Sequence, residues 1–307
     1  MSKRSELTVA GRTLAVSNLD KVLYPEAGFT KAQVIDYYVR IAPVLLPHLK
    51  NRPITLKRYP DGVDGFFFYE KQCPAHHPDW LETTTVPGGH REDKKIDYCM
   101  INDLPALVWA ANLADLELHT FLHRAPAIDR PTALAFDLDP GPPADIVLCC
   151  RVALWLKAEL ESHGLESFAK TSGSKGLQLY VPLNTATTYA KTKPFAHAFA
   201  EKMERDHPGE IVSRMQKTLR EGKILIDWSQ NDDHKTTVNV YSLRAKAQPT
   251  VSTPITWGEV EQCWKKKARG RLTFRTEDVL ARVEKQGDLF AKVLTLKQKL
   301  PATSRIG

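Results

Sequence analysis

The sequence predicts an α+β protein whose largely antiparallel central sheets are flanked by helices. Three observations carry this reading: short apolar runs with strand-like alternation, amphipathic stretches with helical spacing between them, and no strict βαβαβ order of the kind that marks a doubly wound dinucleotide fold. Near the start, "SNLDKVLYPEAGFTKAQVIDYYVRIAPVLLPHL" reads as a turn followed by a helix. Thr30 stands as its N-cap, and Val34, Tyr37, Tyr38, Ile41 and Val44 recur on one face. "PITLKRYP" and "GFFFYEK" read as short strands, Leu104 to Leu113 as a helix, and "DLELHTFLHR" as a strand with Glu117, His119 and Phe121 on one side.

From residue 132 the pattern is more regular. A strand over Ala133 to Leu138 precedes "GPPADIVLCCRVALWLKAELESHG", a helix with Asp145 as cap and Gly164 as stop. A strand over Ser167 to Lys170 turns through "TSGSKG" into "LQLYVPL". After a helix containing "FAHAFAEKMERD" come the strands "KILIDWSQ" and "TTVNVYSLRA", a basic linker, and a closing helix, "TEDVLARVEKQGDLFAKVL". One catalytic domain over 1–307 is expected, with subregions 1–131, 132–250 and 251–307.

Composition narrows the class. With 42% hydrophobic and 26% charged residues in 307, the chain has the make-up of a globular protein, and no apolar run reaches membrane-spanning length. Five cysteines, Cys73, Cys99, Cys149, Cys150 and Cys263, show no disulfide rhythm and read as free thiols in a reducing, cytoplasmic setting. "CPAHH", with Cys73, His76 and His77, reads as a surface loop or as half a zinc site completed by Cys99. Formal charge is +7, which permits a polyanionic partner. The densest basic blocks are Lys265 to Arg271 and Ser213 to Lys223, each a solvated face or a contact surface.

The chemistry lies in acids placed where core is expected. In "ALAFDLDPGPP", Asp137 and Asp139 are two residues apart on a strand and so project from one face. Asp227 ends the apolar strand "KILID". Burying a carboxylate costs several kcal/mol or more unless it is paired or binds metal. Three such acids suit two Mg²⁺ or Mn²⁺ ions about 3.5–4 Å apart; the alternative is that the first two cap the loop before the next helix and Asp227 pairs with a nearby arginine. "TSGSKG" places Ser172, Ser174 and Lys175 on a glycine-flanked turn, which either offers hydroxyls, N–H groups and an ammonium to phosphate or is simply a hairpin turn. Arg244 adds a guanidinium, and His119 is a further donor or a satisfied strand residue.

In order and approximate spacing, "LDKVLYP", "TK", "RP", "FFFYEKQ", "LELH", "FDLDPG", "TSGSKGL", "DWSQN" and "YSLR" resemble the archaeo-eukaryotic primase superfamily, and within it the polymerase domain of bacterial ligase D, from non-homologous end joining. The resemblance covers nearly the whole chain. It implies a primase-polymerase fold and metal ligation by Asp137, Asp139 and Asp227. It implies nucleotide binding by Lys57, His119, Ser172, Lys175, Gly176, Gln178 and Arg244. It also implies capture of a DNA 5′-phosphate by Lys21 and Lys31, template stacking on Phe68 and Tyr69, and a mobile loop holding Arg220. One departure stands out: the family's second motif ends in histidine, and Gln178 occupies that place, able to donate a hydrogen bond but not to become a cation.

The activity so implied is a DNA-dependent nucleotidyltransferase that extends primers at gaps or double-strand-break ends, preferring ribonucleotides and using two Mn²⁺ or Mg²⁺ ions. Its expected partners are DNA, nucleoside triphosphates, Ku and a separate ligase; a monomer in the bacterial cytoplasm, at the nucleoid, is expected. At this length, ligase and nuclease modules are expected to be absent. A metal-dependent nuclease and a catalytically weakened 5′-phosphate end-binding module are the alternatives.

Overall fold

Alternation of Phe136 and Leu138 with Asp137 and Asp139 produces the strand Ala133–Pro140, the centre of a six-stranded sheet. The computed structural model describes residues 4–88 and 91–306. Across this sheet the order is Ile211–Val212, Ile224–Asp227, Ala133–Pro140, Leu177–Pro182, Phe168–Thr171 and Pro254–Ile255. Every pairing is antiparallel except the first, which is parallel. The helices Ile146–Ser162 and Tyr189–Asp206 pack on it. Asp145 caps the first of these by accepting the Val147 N–H at 2.9 Å, as the sequence predicts.

The backbone divides into two compact units. The sheet just described lies in the unit formed by residues 127–235, 253–273 and 288–307. The other unit, residues 1–126, 236–252 and 274–287, holds an antiparallel sheet ordered Thr237–Val238, Asp115–Thr120, Pro53–Arg58, Arg91–Met100 and Thr83–Gly88, with Phe68–Glu70 also pairing with Pro53–Arg58. Its long helix, Lys31–Leu49, starts at a capping box: Thr30 accepts the Gln33 N–H while the Gln33 side chain accepts the Thr30 N–H. The apolar face of that helix is buried, and its Tyr37 and Tyr38 hydroxyls donate to the carbonyls of Tyr241 (2.9 Å) and Leu116 (2.7 Å). The α+β class and the antiparallel sheets are as the sequence predicts.

Four local readings are corrected. "TTVNVYSLRA" is not one strand: it forms Thr237–Val238 and Leu243–Ala245, interrupted where Tyr241 adopts the left-handed region at φ 64°. The basic stretch is no linker, because Lys265 and Lys266 end the helix Trp257–Lys266 and Arg269–Leu272 form a 3₁₀ turn. The closing helix stops at Gln286, where Gly287 takes φ 67°, and a short helix Lys292–Thr295 follows. Finally, Cys73 and Cys99 form a disulfide, their Cα atoms 5.0 Å apart, which leaves neither thiol for a zinc site; Cys149, Cys150 and Cys263 are free and buried. No helix among the described residues is long and apolar enough to cross a membrane.

Candidate active site

Strand register assembles the acids. Asp137 pairs across the sheet with Asp227 on one side and with Gln178 on the other, and Gln178 in turn pairs with Lys170. Directly opposed residues share a face. Asp227, Asp137, Gln178 and Lys170 therefore make one row over four strands, with Asp139 beside it. Phe136 and Leu138 face the other way into the core, where Phe136 packs on Phe199 at 6.4 Å between ring centroids.

Electrostatics in this row are unfavourable as they stand. Burial first, and then the Asp139 and Asp227 carboxylates, push the Asp137 pKa up to about 7 against the opposing hydrogen bond of Gln178 and the charge of Lys170. Positive charge placed beside that carboxyl favours its ionised form. Its Oδ1 is buried without a hydrogen-bond partner. Asp227 accepts from the Ser229 N–H (2.8 Å), the Ser229 hydroxyl (2.6 Å) and Gln230 Nε2 (3.0 Å). Among the described residues neither Asp137 nor Asp227 forms a salt bridge, which disposes of the arginine-paired alternative for Asp227. An orphaned carboxylate oxygen flanked by further carboxylates is a hard all-oxygen donor set, and Mg²⁺ or Mn²⁺ fits it.

The "TSGSKG" turn joins the next two strands of this sheet. Ser172 Oγ accepts the N–H groups of Ser174 (3.2 Å) and Gly176 (3.1 Å), so the hydroxyl that reads as a phosphate donor also builds the turn. Ser174 and Lys175 are exposed at its tip. Gly176 is required sterically: a Cβ there would lie 2.0 Å from the Leu138 carbonyl oxygen. Arg220 closes a 3₁₀ turn and donates to the Met215 carbonyl at 2.5 Å. Its loop is tied to the end of the acid-bearing strand by Gly141 N–H to Lys223 O (2.8 Å) and Gly222 N–H to Pro142 O (3.1 Å).

In the other unit, Lys57, His119 and Arg244 gather around one buried carboxylate. Glu117, 1% exposed, lies 3.2 Å from Lys57 Nζ, 3.0 Å from His119 Nε2 and 3.3 Å from Arg244 Nε. Burial raises the Glu117 pKa, but the His119 hydrogen bond and the Arg244 and Lys57 charges outweigh it and hold the carboxyl well below its usual range. Burial lowers the His119 pKa, and Arg244 and Lys57 lower it further against the pull of Glu117. One carboxylate among two fixed cations leaves a positive surplus suited to an anion.

Lys21 and Lys31 are brought together by the pairing of Val22–Tyr24 with Phe29–Thr30, and the Lys31 N–H donates to the Lys21 carbonyl at 2.8 Å. Lys31 Nζ donates to the Ser17 carbonyl (2.7 Å) and Lys21 pairs with Asp61 (3.0 Å). Burial, then the charges of Lys21 and Arg58, lower the Lys31 pKa to about 8. Such crowded cations gain from a bound anion. Phe68 and Tyr69 point apart: the Arg58 guanidinium lies 5.2 Å from the Phe68 ring, while Lys57 Nζ lies 5.4 Å from the Tyr69 ring and His119 stacks edge-on to it at 5.9 Å. Phe66, 70% exposed, stacks on Phe68 at 5.9 Å.

Comparison with known proteins decides the family. The profile of the LigD primase-polymerase domain matches residues 30–290. The chain belongs to this family. LigD relatives include the multifunctional non-homologous end joining protein LigD of Mycolicibacterium smegmatis, 39% identical over 278 residues, 90% of this chain and 35% of that protein. The bifunctional non-homologous end joining protein LigD of Bacillus subtilis is 32% identical over 89% of this chain and 43% of its own length. The chain thus spans well under half the length of these LigD proteins. Among solved structures, the polymerase domain from Mycobacterium tuberculosis ligase D in complex with DNA superposes with a TM-score of 0.85 at 37% identity, covering 93% of this chain and 99% of that one.

Within this LigD primase-polymerase domain, two residues near the candidate sites escape sequence reading. Glu117 lies in the quoted "LELH", but nothing marks it as the hub of two cations and a histidine. Lys170 looks like an ordinary strand residue, yet it is wholly buried and donates to Gln178 Oε1 at 2.5 Å. Its signal is a lysine one residue before "TSGSKG", inside an apolar strand where a charge is costly.

Proposed function

We propose that this chain is a DNA-dependent nucleotidyltransferase that extends primers at gaps or broken ends in non-homologous end joining, with ribonucleotides preferred. The buried, partnerless Asp137 Oδ1 beside Asp139 and Asp227 carries the reading, supported by the family membership above. Asp137, Asp139 and Asp227 would hold two divalent ions, which when bound supply Lewis acidity for attack of a primer hydroxyl on the α-phosphate and for departure of pyrophosphate. Asp227 keeps its carboxylate oriented through Ser229 and Gln230. Lys175, Ser172 and the N–H groups of the turn bind phosphate oxygens, as do Lys57, His119 and Arg244. Lys21 and Lys31 take the 5′-phosphate of a recessed DNA end, and Phe68 and Tyr69 offer ring faces to template bases. The partners in this reading are gapped DNA, nucleoside triphosphates, Ku and a ligase, with the chain acting as a monomer in the bacterial cytoplasm at the nucleoid.

Primer extension with Mn²⁺ on a gapped, 5′-phosphorylated duplex tests this. Nucleotide addition is expected, faster with NTPs than dNTPs and slower when the 5′-phosphate is removed. DNA shortening without addition would instead mark a nuclease. Phosphate-dependent binding with no extension under either metal would mark an end-binding module.

A further inference from the structure

The family's second motif ends in a histidine where this chain has Gln178, and the structure gives that glutamine a defined orientation. A lysine ammonium has only donors, so the side-chain atom facing Lys170 Nζ at 2.5 Å must be the amide carbonyl, Oε1. The other end of the planar amide is then Nε2, a donor, and it is this end that hydrogen-bonds Asp137. Lys170 is 0% exposed and Gln178 3%, so water does not compete for either atom. Both residues lie in the row that register sets across the sheet, Lys170 opposite Gln178 and Gln178 opposite Asp137.

We propose that Lys170 is a positioning residue which, through Gln178, fixes one carboxylate oxygen of Asp137 and leaves Oδ1 presented to a divalent cation. Gln178 in this arrangement is a strut for a metal-binding acid, and both ends of its amide are spent within the sheet, not on nucleotide phosphate. Without the ammonium the amide is free to rotate by a half-turn and set its carbonyl against the carboxylate, where two acceptors repel. The inference rests on the proposed metal role of Asp137. It departs from that reading in naming a charge three strands from Asp227 as part of the cation site.

The test uses the full chain. Mn²⁺ binding, followed by loss of the free-ion EPR signal without DNA or nucleotide, is compared for wild type, Lys170→Met, Gln178→Leu and the double variant. Melting temperature is measured in parallel. Partners that orient metal ligands typically contribute 10–100-fold in affinity, so each single variant is expected to weaken Mn²⁺ binding by about that factor. The double variant should lose little more than either single one, because both cut the same chain. Methionine nearly matches the buried lysine in volume, so the melting temperature should not fall. Wild-type affinity in Lys170→Met, additive losses in the double variant, or weakening matched by a collapse in melting temperature would overturn the inference. If wild type binds Mn²⁺ but extends no primer, the polymerase reading fails while the Lys170 result stands. If wild type extends primers and Lys170→Met binds Mn²⁺ equally well, only this inference fails. A wild type that binds no Mn²⁺ overturns both.

Discussion

Replacing Asp227 by alanine is expected to reduce primer extension about 10³-fold or more while leaving the protein folded. Several kcal/mol of transition-state stabilisation rest on the charge this acid helps to hold, and each 1.4 kcal/mol is about tenfold in rate. The carboxylate is held by Ser229 and Gln230 and pairs in register with Asp137. Its removal deletes one oxygen ligand and nothing from the core. The loss should appear in kcat more than in the KM for nucleotide, since Asp227 lies outside the groups assigned to phosphate. Removing a like charge from beside Asp137 also relieves repulsion, so the melting temperature of metal-free protein should be unchanged or higher. Steady-state extension by Asp227→Ala at saturating NTP, with a thermal melt alongside, checks both statements. Extension within tenfold of wild type would remove Asp227 from the site.

The second large effect is on stability. Gly176→Ala sets a methyl group 2.0 Å from the Leu138 carbonyl oxygen and 3.4 Å from Pro140 Cδ. Leu138 is in the central strand between the two acids and pairs with Leu177, so neither backbone can yield without breaking that pairing. Overpacking against mobile side chains costs about 1–3 kcal/mol; against a strand carbonyl the cost should be about 3 kcal/mol or more. Thermal unfolding should show a fall in Tm of roughly 6–12 °C. Gly209→Ala is the control, because nothing lies within 4 Å of a Cβ there and it should melt with wild type.

What the sequence discloses about this molecule depends on the range of the interactions involved. Thr30 and Asp145 are legible as caps because a cap is a contact across two or three residues, and both cap as expected. Asp137 and Asp139 are legible as a pair because a strand repeats every two residues. That Asp227 joins them follows from the order of the family motifs, but the register that sets it opposite Asp137 is visible only in the structure. Glu117 shows the limit. It alternates correctly with His119, yet its cationic partners come from residues 57 and 244, and no local pattern connects them. Lys170 is hidden for the same reason, since its burial depends on two neighbouring strands and on a glutamine eight residues away. Tyr241 breaks an apparently continuous strand without a glycine or proline to announce it. The Cys73–Cys99 bridge likewise spans 26 residues with no spacing motif to reveal it.

The central claim is that Asp137, Asp139 and Asp227 form a cradle for divalent cations. Anomalous diffraction from crystals soaked in Mn²⁺ at pH 8, on the side that favours the ionised form of the raised Asp137 carboxyl, tests it most directly. The account predicts manganese peaks in contact with the carboxylates of all three residues, including Asp137 Oδ1, and their loss in Asp137→Asn crystals. Manganese bound elsewhere while the three carboxylates stay bare would contradict it.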